Sequence, residues 1–230
     1  YISMNRVLLV IITIITTSCF FFPFEFTALP GANTKMILAG FGLGLLLIRL
    51  SKEGKGAIRT DLFPVFAASL LVSLLGFIST VVNDTRDYTY ATYFVSFAVW
   101  LSAAYVVVTL IKGVHNYISI ELLVRYLAAV CVMQCSLAMI FQSSPVIDSF
   151  IQSHINNAGM KASLESLEGN RLYGIGAALD VAGTRFASVI VLISAIISIN
   201  KLPTKWIIFY AVSWFVILVI GNMISRTTII

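Results

Sequence analysis

Seven stretches of this chain are apolar for about the length of a bilayer crossing, and that succession decides most of what it can fold into. A crossing takes roughly 20 residues, because in lipid each backbone N–H and C=O must be satisfied within the protein and a helix does so within the segment itself. The stretches are residues 7–22, 35–50, 62–82, 88–111, 118–141, 182–200 and 205–222. Of the 230 residues 59% are hydrophobic and 11% charged, where a soluble domain carries about 45–50% apolar and about 25% charged residues. The expectation is all-α: a polytopic transmembrane helix bundle of about seven spans, forming a single transmembrane domain over residues 1–230. Its longest link, 142–181, is the one stretch outside the spans large enough to build a site.

Orientation follows from the rule that Lys and Arg near span ends mark the cytoplasmic side. With the N-terminus inside, nine basic residues fall in the cytoplasm: Arg6, Arg49, Lys52, Lys55, Arg59, Lys112, Arg125, Lys201 and Lys205. Six fall outside: Lys35, Arg86, Lys161, Arg171, Arg185 and Arg226. The formal net charge of +5 is scattered between apolar runs rather than gathered on one polar face, which argues against nucleic acid as a partner. Arg6 followed by Val7–Phe22, with Thr27 and Ala28 nearby, has the outline of a secretory signal, but six further spans favour a retained anchor. Met4 reads as the natural initiator, and Ile229-Ile230 as a new apolar run cut short.

Within the long outer link, Ser144-Pro145 opens a helix carrying Val146, Ile147, Phe150, Ile151 and Ile155 at helical spacing, closed by Asn157 to Gly159. It is expected to lie along the membrane interface. Cys19, Cys131 and Cys135 sit inside apolar runs and read as core; Cys131 and Cys135 lack ligand-spaced His or acidic companions, so no metal is expected. Gly40 and Gly44 have the spacing of a close helix contact.

Three arginines stand on the outer side against the charge rule: Arg171, Arg185 and Arg226. A guanidinium keeps its charge and presents paired donors that match phosphate oxygens, so the three together suit a lipid-linked pyrophosphate. Arg171-Leu172-Tyr173-Gly174-Ile175-Gly176 places small residues where backbone amides can approach a ligand. Asp180 is placed either to cap the sixth span or to act as a catalytic carboxylate. Gly221-Asn222-Met223-Ile224-Ser225-Arg226-Thr227-Thr228 is a polar break that must line a cavity or be buried in protein.

The run from Arg171 through Gly176, with Asp180, Ala182-Gly183 and Arg185-Phe186, and then Gly221 through Thr228, resembles bacterial O-antigen polymerases and ligases of the Wzy and WaaL type. The likeness rests on short motifs in the last third of the chain, together with many spans and a long outer loop. It implies a multi-pass glycosyltransferase of the bacterial inner membrane, needing neither metal nor cofactor. Its substrates would be an undecaprenyl-pyrophosphate-linked oligosaccharide and an acceptor glycan at the periplasmic face. Arg171, Arg185 and Arg226 would then hold the pyrophosphate, with Asp180 as base. Members usually have ten or more spans and a second large outer loop, which this chain lacks.

A transporter or flippase for the same lipid-linked sugar, and a non-catalytic scaffold working with other polysaccharide assembly proteins, are the alternatives. Few charged residues lie within the spans, which favours surface chemistry over transport. His154 and His115 lack ligand-spaced partners, Glu165 and Glu168 flank the arginine region, and Asp84, Arg86 and Asp87 read as a turn. Arg125, inside the fifth span, reads as snorkelling to the inner interface.

Overall fold

The computed structural model describes residues 4–53, 62–156 and 171–228. It is a helical, multi-pass membrane architecture. In chain order the helices are α1 (Met4–Phe21), α2 (Thr34–Glu53), α3 (Phe63–Val82), α4 (Tyr93–His115), α5 (Ile120–Ser143), α6 (Pro145–His154), α7 (Leu179–Ile199) and α8 (Thr204–Ile224), and a 3-10 turn at Arg226–Thr228 follows. Six of these, α2 to α5, α7 and α8, are long and apolar enough to cross a membrane. The first apolar stretch lies in α1, 18 residues long; among the described residues the six other helices meet the length and hydropathy of a crossing.

Breaks between helices follow local chemistry. Ser119 caps α5, its hydroxyl accepting from the Leu122 amide at 3.1 Å, one of the four N–H groups a helix start leaves without a partner. Asn116 just before it takes φ 62°, a conformation Asn tolerates better than most residues. Pro203 stands at the start of α8, where its missing N–H costs nothing. The fourth span begins at Tyr93 rather than 88 because Asp87 accepts the Thr89 amide at 2.9 Å and the Tyr93 amide reaches only to Tyr90, which holds residues 88–92 in turns.

The chain divides into two compact units, one of residues 1–34 with 107–230 and one of residues 35–106. In the first, α5 is the central element, packed by α1, α7 and α8. Its core joins Phe22, Cys131, Cys135, Phe186, Ile193, Tyr210 and Ile217, with both α5 cysteines buried as free thiols, as their apolar surroundings led one to expect. Tyr210 is fully buried, and its hydroxyl donates to the Glu121 carbonyl at 3.1 Å, giving a polar tip its required partner. Gln134 of α5 donates to Ser18 of α1 at 2.9 Å, a side-chain bond between helices of the kind that serves in lipid, where apolar contact alone gives little driving force.

The second unit is built on small residues. A Cβ at Gly42 would lie 1.9 Å from the Ser102 carbonyl oxygen, so α2 meets α4 there backbone to backbone. The Gly40 and Gly44 pair expected to make this approach has nothing within 4 Å of either position; the glycine between them, on the opposite helix face, does so instead. The Ser73 hydroxyl of α3 accepts the Phe94 amide at 2.7 Å, and Phe66 packs edge-on to Phe97. The buried residues of α3 are Ser69, Ser73 and Thr80, while Leu71, Leu75 and Phe77 point outward. Apolar outside and polar inside is the pattern of a helix surrounded by lipid.

Candidate functional site

In the first unit α1, α5 and α8 finish, and α7 begins, at one end, here called the rim. A two-residue antiparallel ladder ties it together, Glu25 facing Asn156 and Phe26 facing Ile155, extended by the Thr27 amide donating to the His154 carbonyl at 2.9 Å. This pairing draws Ile155 out of helix α6, which ends at His154, earlier than its apolar spacing suggests. The expected terminator, Asn157 to Gly159, lies outside the described residues, as do Glu165 and Glu168. Val146 and Phe150 of α6 are exposed at 78% and 60%, an outward apolar face that fits a helix lying in an interface.

The segment after Arg171 is pinned by backbone. Gly174 and Ala177 exchange amide bonds at 2.7 and 3.4 Å. Gly176 adopts φ 73°, and a Cβ there would come within 2.3 Å of the Phe22 carbonyl oxygen; both facts require glycine. The Leu172 amide donates to the Met223 carbonyl at the end of α8, 3.3 Å away.

The polar break after α8 is likewise locked to the start of α7. A Cβ at Gly183 would fall 1.9 Å from Thr227 Oγ1 and 2.4 Å from Ser225 Oγ. Those two hydroxyls bond each other at 2.7 Å, and Thr228 Oγ1 donates to the Gly221 carbonyl at 3.0 Å. Ser225 and Thr228 are buried, so these hydroxyls of the break are enclosed by protein, while Met223 and Arg226 are exposed.

The stretches bearing Arg171, Arg185 and Arg226 therefore meet at the rim, and their side chains have different surroundings. Arg226 is exposed on the 3-10 turn. Arg185 is half-buried one and a half turns into α7, its guanidinium 5.7 Å from the centre of the Phe22 ring. Among the described residues it has neither a carboxylate nor a hydrogen-bond acceptor. Arg171 lines a cleft of about 170 Å³ with Ala138, Phe141 and Gln142 of α5, Asp148 of α6, and Leu172 and Tyr173.

Asp180 is not the cap of α7. That position belongs to Ala178, which offers no side-chain acceptor, and the helix begins at Leu179, one residue before Asp180. Asp180 is exposed in the first turn, where a carboxylate complements the helix dipole, and its carbonyl accepts from Thr184 and Thr227 at 3.0 and 3.3 Å.

Asp148 is the carboxylate that the sequence reading passed over. Its Oδ1 accepts the Tyr173 hydroxyl, and Gln152 Nε2 donates to its Oδ2 at 3.0 Å and to the Tyr173 oxygen at 3.1 Å. Burial, reinforced by the hydrogen bond to Asp148, pushes the Tyr173 hydroxyl up to about 12, so it stays a donor at neutral pH. The available signal was the polar pair Asp148 and Gln152, one turn apart on α6. Such a cleft offers an acceptor carboxylate, a guanidinium, an amide and an aromatic wall, a set suited to polyhydroxylated ligands. His154 stacks on Phe150 with centroids 4.4 Å apart, and His115 bonds Tyr126 at 2.9 Å away from the rim.

Compared with family models, curated proteins and solved structures, the chain matches none.

Proposed function

We propose that the protein joins a lipid-linked oligosaccharide to an acceptor glycan at the outer face of a bacterial inner membrane, with its N-terminus in the cytoplasm. The observation that carries this reading is Arg185, a half-buried cation without an anionic partner among the described residues, on a helix start packed against the turn that carries Arg226. A guanidinium in low dielectric without a counter-ion is costly, and an anionic ligand would relieve that cost. The resemblance of the flanking motifs to O-antigen polymerases and ligases supplies the identity of the anion as undecaprenyl pyrophosphate.

In the reaction the acceptor hydroxyl oxygen bonds to the anomeric carbon as the bond from that carbon to phosphate breaks, and the electron pair leaves with the pyrophosphate. Fixed guanidinium donors stabilise charge that develops there; Arg171, Arg185 and Arg226 take this role. The hydroxyl proton passes to a carboxylate. Asp148 shares its cleft with Arg171 and is the better placed of the two, with Asp180 at the rim as the other.

The test is reconstitution of the full chain in vesicles with a lipid-linked repeat unit supplied outside. Longer glycans on gels support the transferase, movement of the lipid across the vesicle without elongation means a transporter, and neither means a scaffold. Replacing each of the three arginines by Lys keeps charge but loses paired donation, and elongation as fast as the parent's in all three would overturn their assignment.

A further inference from the structure

At the end of the first unit opposite the rim, α1 and α8 each pack on α5 and leave a groove of about 340 Å³ between them. Its walls are apolar, with Val10 and Ile14 from α1, Leu122 and Ala129 from α5, and Phe209 from α8. Its polar end holds Arg125, His115 and Tyr126. Arg125 lies five residues beyond Ile120, about 7.5 Å along the helix at ~1.5 Å per residue. It does more than snorkel: its guanidinium stacks on the Trp206 ring at 3.7 Å and pairs with Glu121. Two further cations stand beside it. Lys205 Nζ is 5.7 Å from the same ring, and Arg6 stands one turn before Val10 on the same face of α1. Against these three positive charges the cluster has, among the described residues, one carboxylate, Glu121.

We infer that this groove binds an anionic phospholipid, its phosphodiester among Arg125, Arg6 and Lys205 and one acyl chain along Val10, Ile14 and Phe209. Charge complementarity selects this occupant over a neutral lipid. A basic pocket between membrane helices is a recognised way of holding acidic headgroups, and an arginine kept flat by an aromatic ring retains donors for phosphate at little further ordering cost. The inference stands apart from the transferase reading, since it concerns the other end of the unit.

The experiment incubates the detergent-purified full chain with phosphatidylglycerol or phosphatidylcholine of matched chains and counts retained lipid by native mass spectrometry. Phosphatidylglycerol is expected to be retained over phosphatidylcholine by at least about fivefold, the factor one nearby cation supplies. Arg125→Gln should reduce that preference by about the same factor. Should that variant fail to fold, Arg6→Gln with Lys205→Gln alters only exposed side chains and should lower the preference comparably. Equal retention of both lipids by the parent, or an unchanged preference in the variants, overturns the proposal. Displacement by millimolar glycerol 3-phosphate would also overturn it, since the site would then recognise a free phosphate.

Discussion

Helix α5 of the first unit and helix α3 of the second are both apolar and both long enough to cross a bilayer, yet half of the α5 span is buried and only 22% of the α3 span. What α5 buries is mostly oil and sulfur, Val124, Leu127, Cys131 and Cys135, with one amide, Gln134; what α3 buries is hydroxyl-bearing, Ser69, Ser73 and Thr80. The difference shows that hydropathy says a segment enters the membrane and little about what it does there. A segment with protein on most sides packs by volume, as in any core. One with lipid on most sides packs through its smallest residues, because close approach and a few polar bonds are what lipid cannot supply. The strongly packed unit is also the one that carries the rim, where fixed geometry would matter to chemistry.

The contrast can be broken most directly by truncating one large side chain in each unit. Ile193→Ala, at a fully buried position, should lower stability by about 2–5 kcal/mol, whereas Leu75→Ala, 58% exposed, should change it by less than about 0.5 kcal/mol. Unfolding by denaturing detergent measures both, and equal losses would remove the distinction. Activity should divide the same way. Arg185→Gln is expected to slow elongation by about 10²–10³-fold, and Arg86→Gln, exposed in the second unit, to leave it unchanged. Initial rates in vesicles decide.

Within the first unit, Asp148→Asn should slow elongation by about 10²-fold with more effect than Asp180→Asn; the reverse order would return the proton to α7. The smallest effect sharpens the picture of the second unit. Gly42→Ala should cost about 1–3 kcal/mol as α2 is forced from the Ser102 backbone, while Gly40→Ala and Gly44→Ala should be neutral or slightly stabilising, as alanine is in a helix with open space beside it. Thermal melts of the three variants compare them.

The membrane helices were largely legible in the sequence, because each apolar run had to satisfy its own backbone. Boundaries slipped where other groups competed for the helix's backbone bonds, as the Asp87 side chain does before α4 and the Glu25–Phe26 backbone does after α6. The choice of Gly42 over Gly40 and Gly44 was not legible, since spacing identifies small residues without saying which face meets a neighbour. At the rim, Arg171, Arg185 and Arg226 stood out through their charge at the edges of apolar runs, and the structure draws their stretches together. Asp148 did not, because on a short amphipathic helix an acidic residue is the ordinary occupant of the wet face. Its partner Tyr173 lies across a link whose path no local pattern encodes.

The approach of Arg185 to the Phe22 ring has a bearing on biosynthesis. A chain made from its N-terminus has the phenylalanine in the membrane long before the arginine leaves the ribosome, so the aromatic surface is ready when the cation is partitioned into lipid. Were the order of these segments permuted, α7 would enter the bilayer before the aromatic surface that meets its arginine.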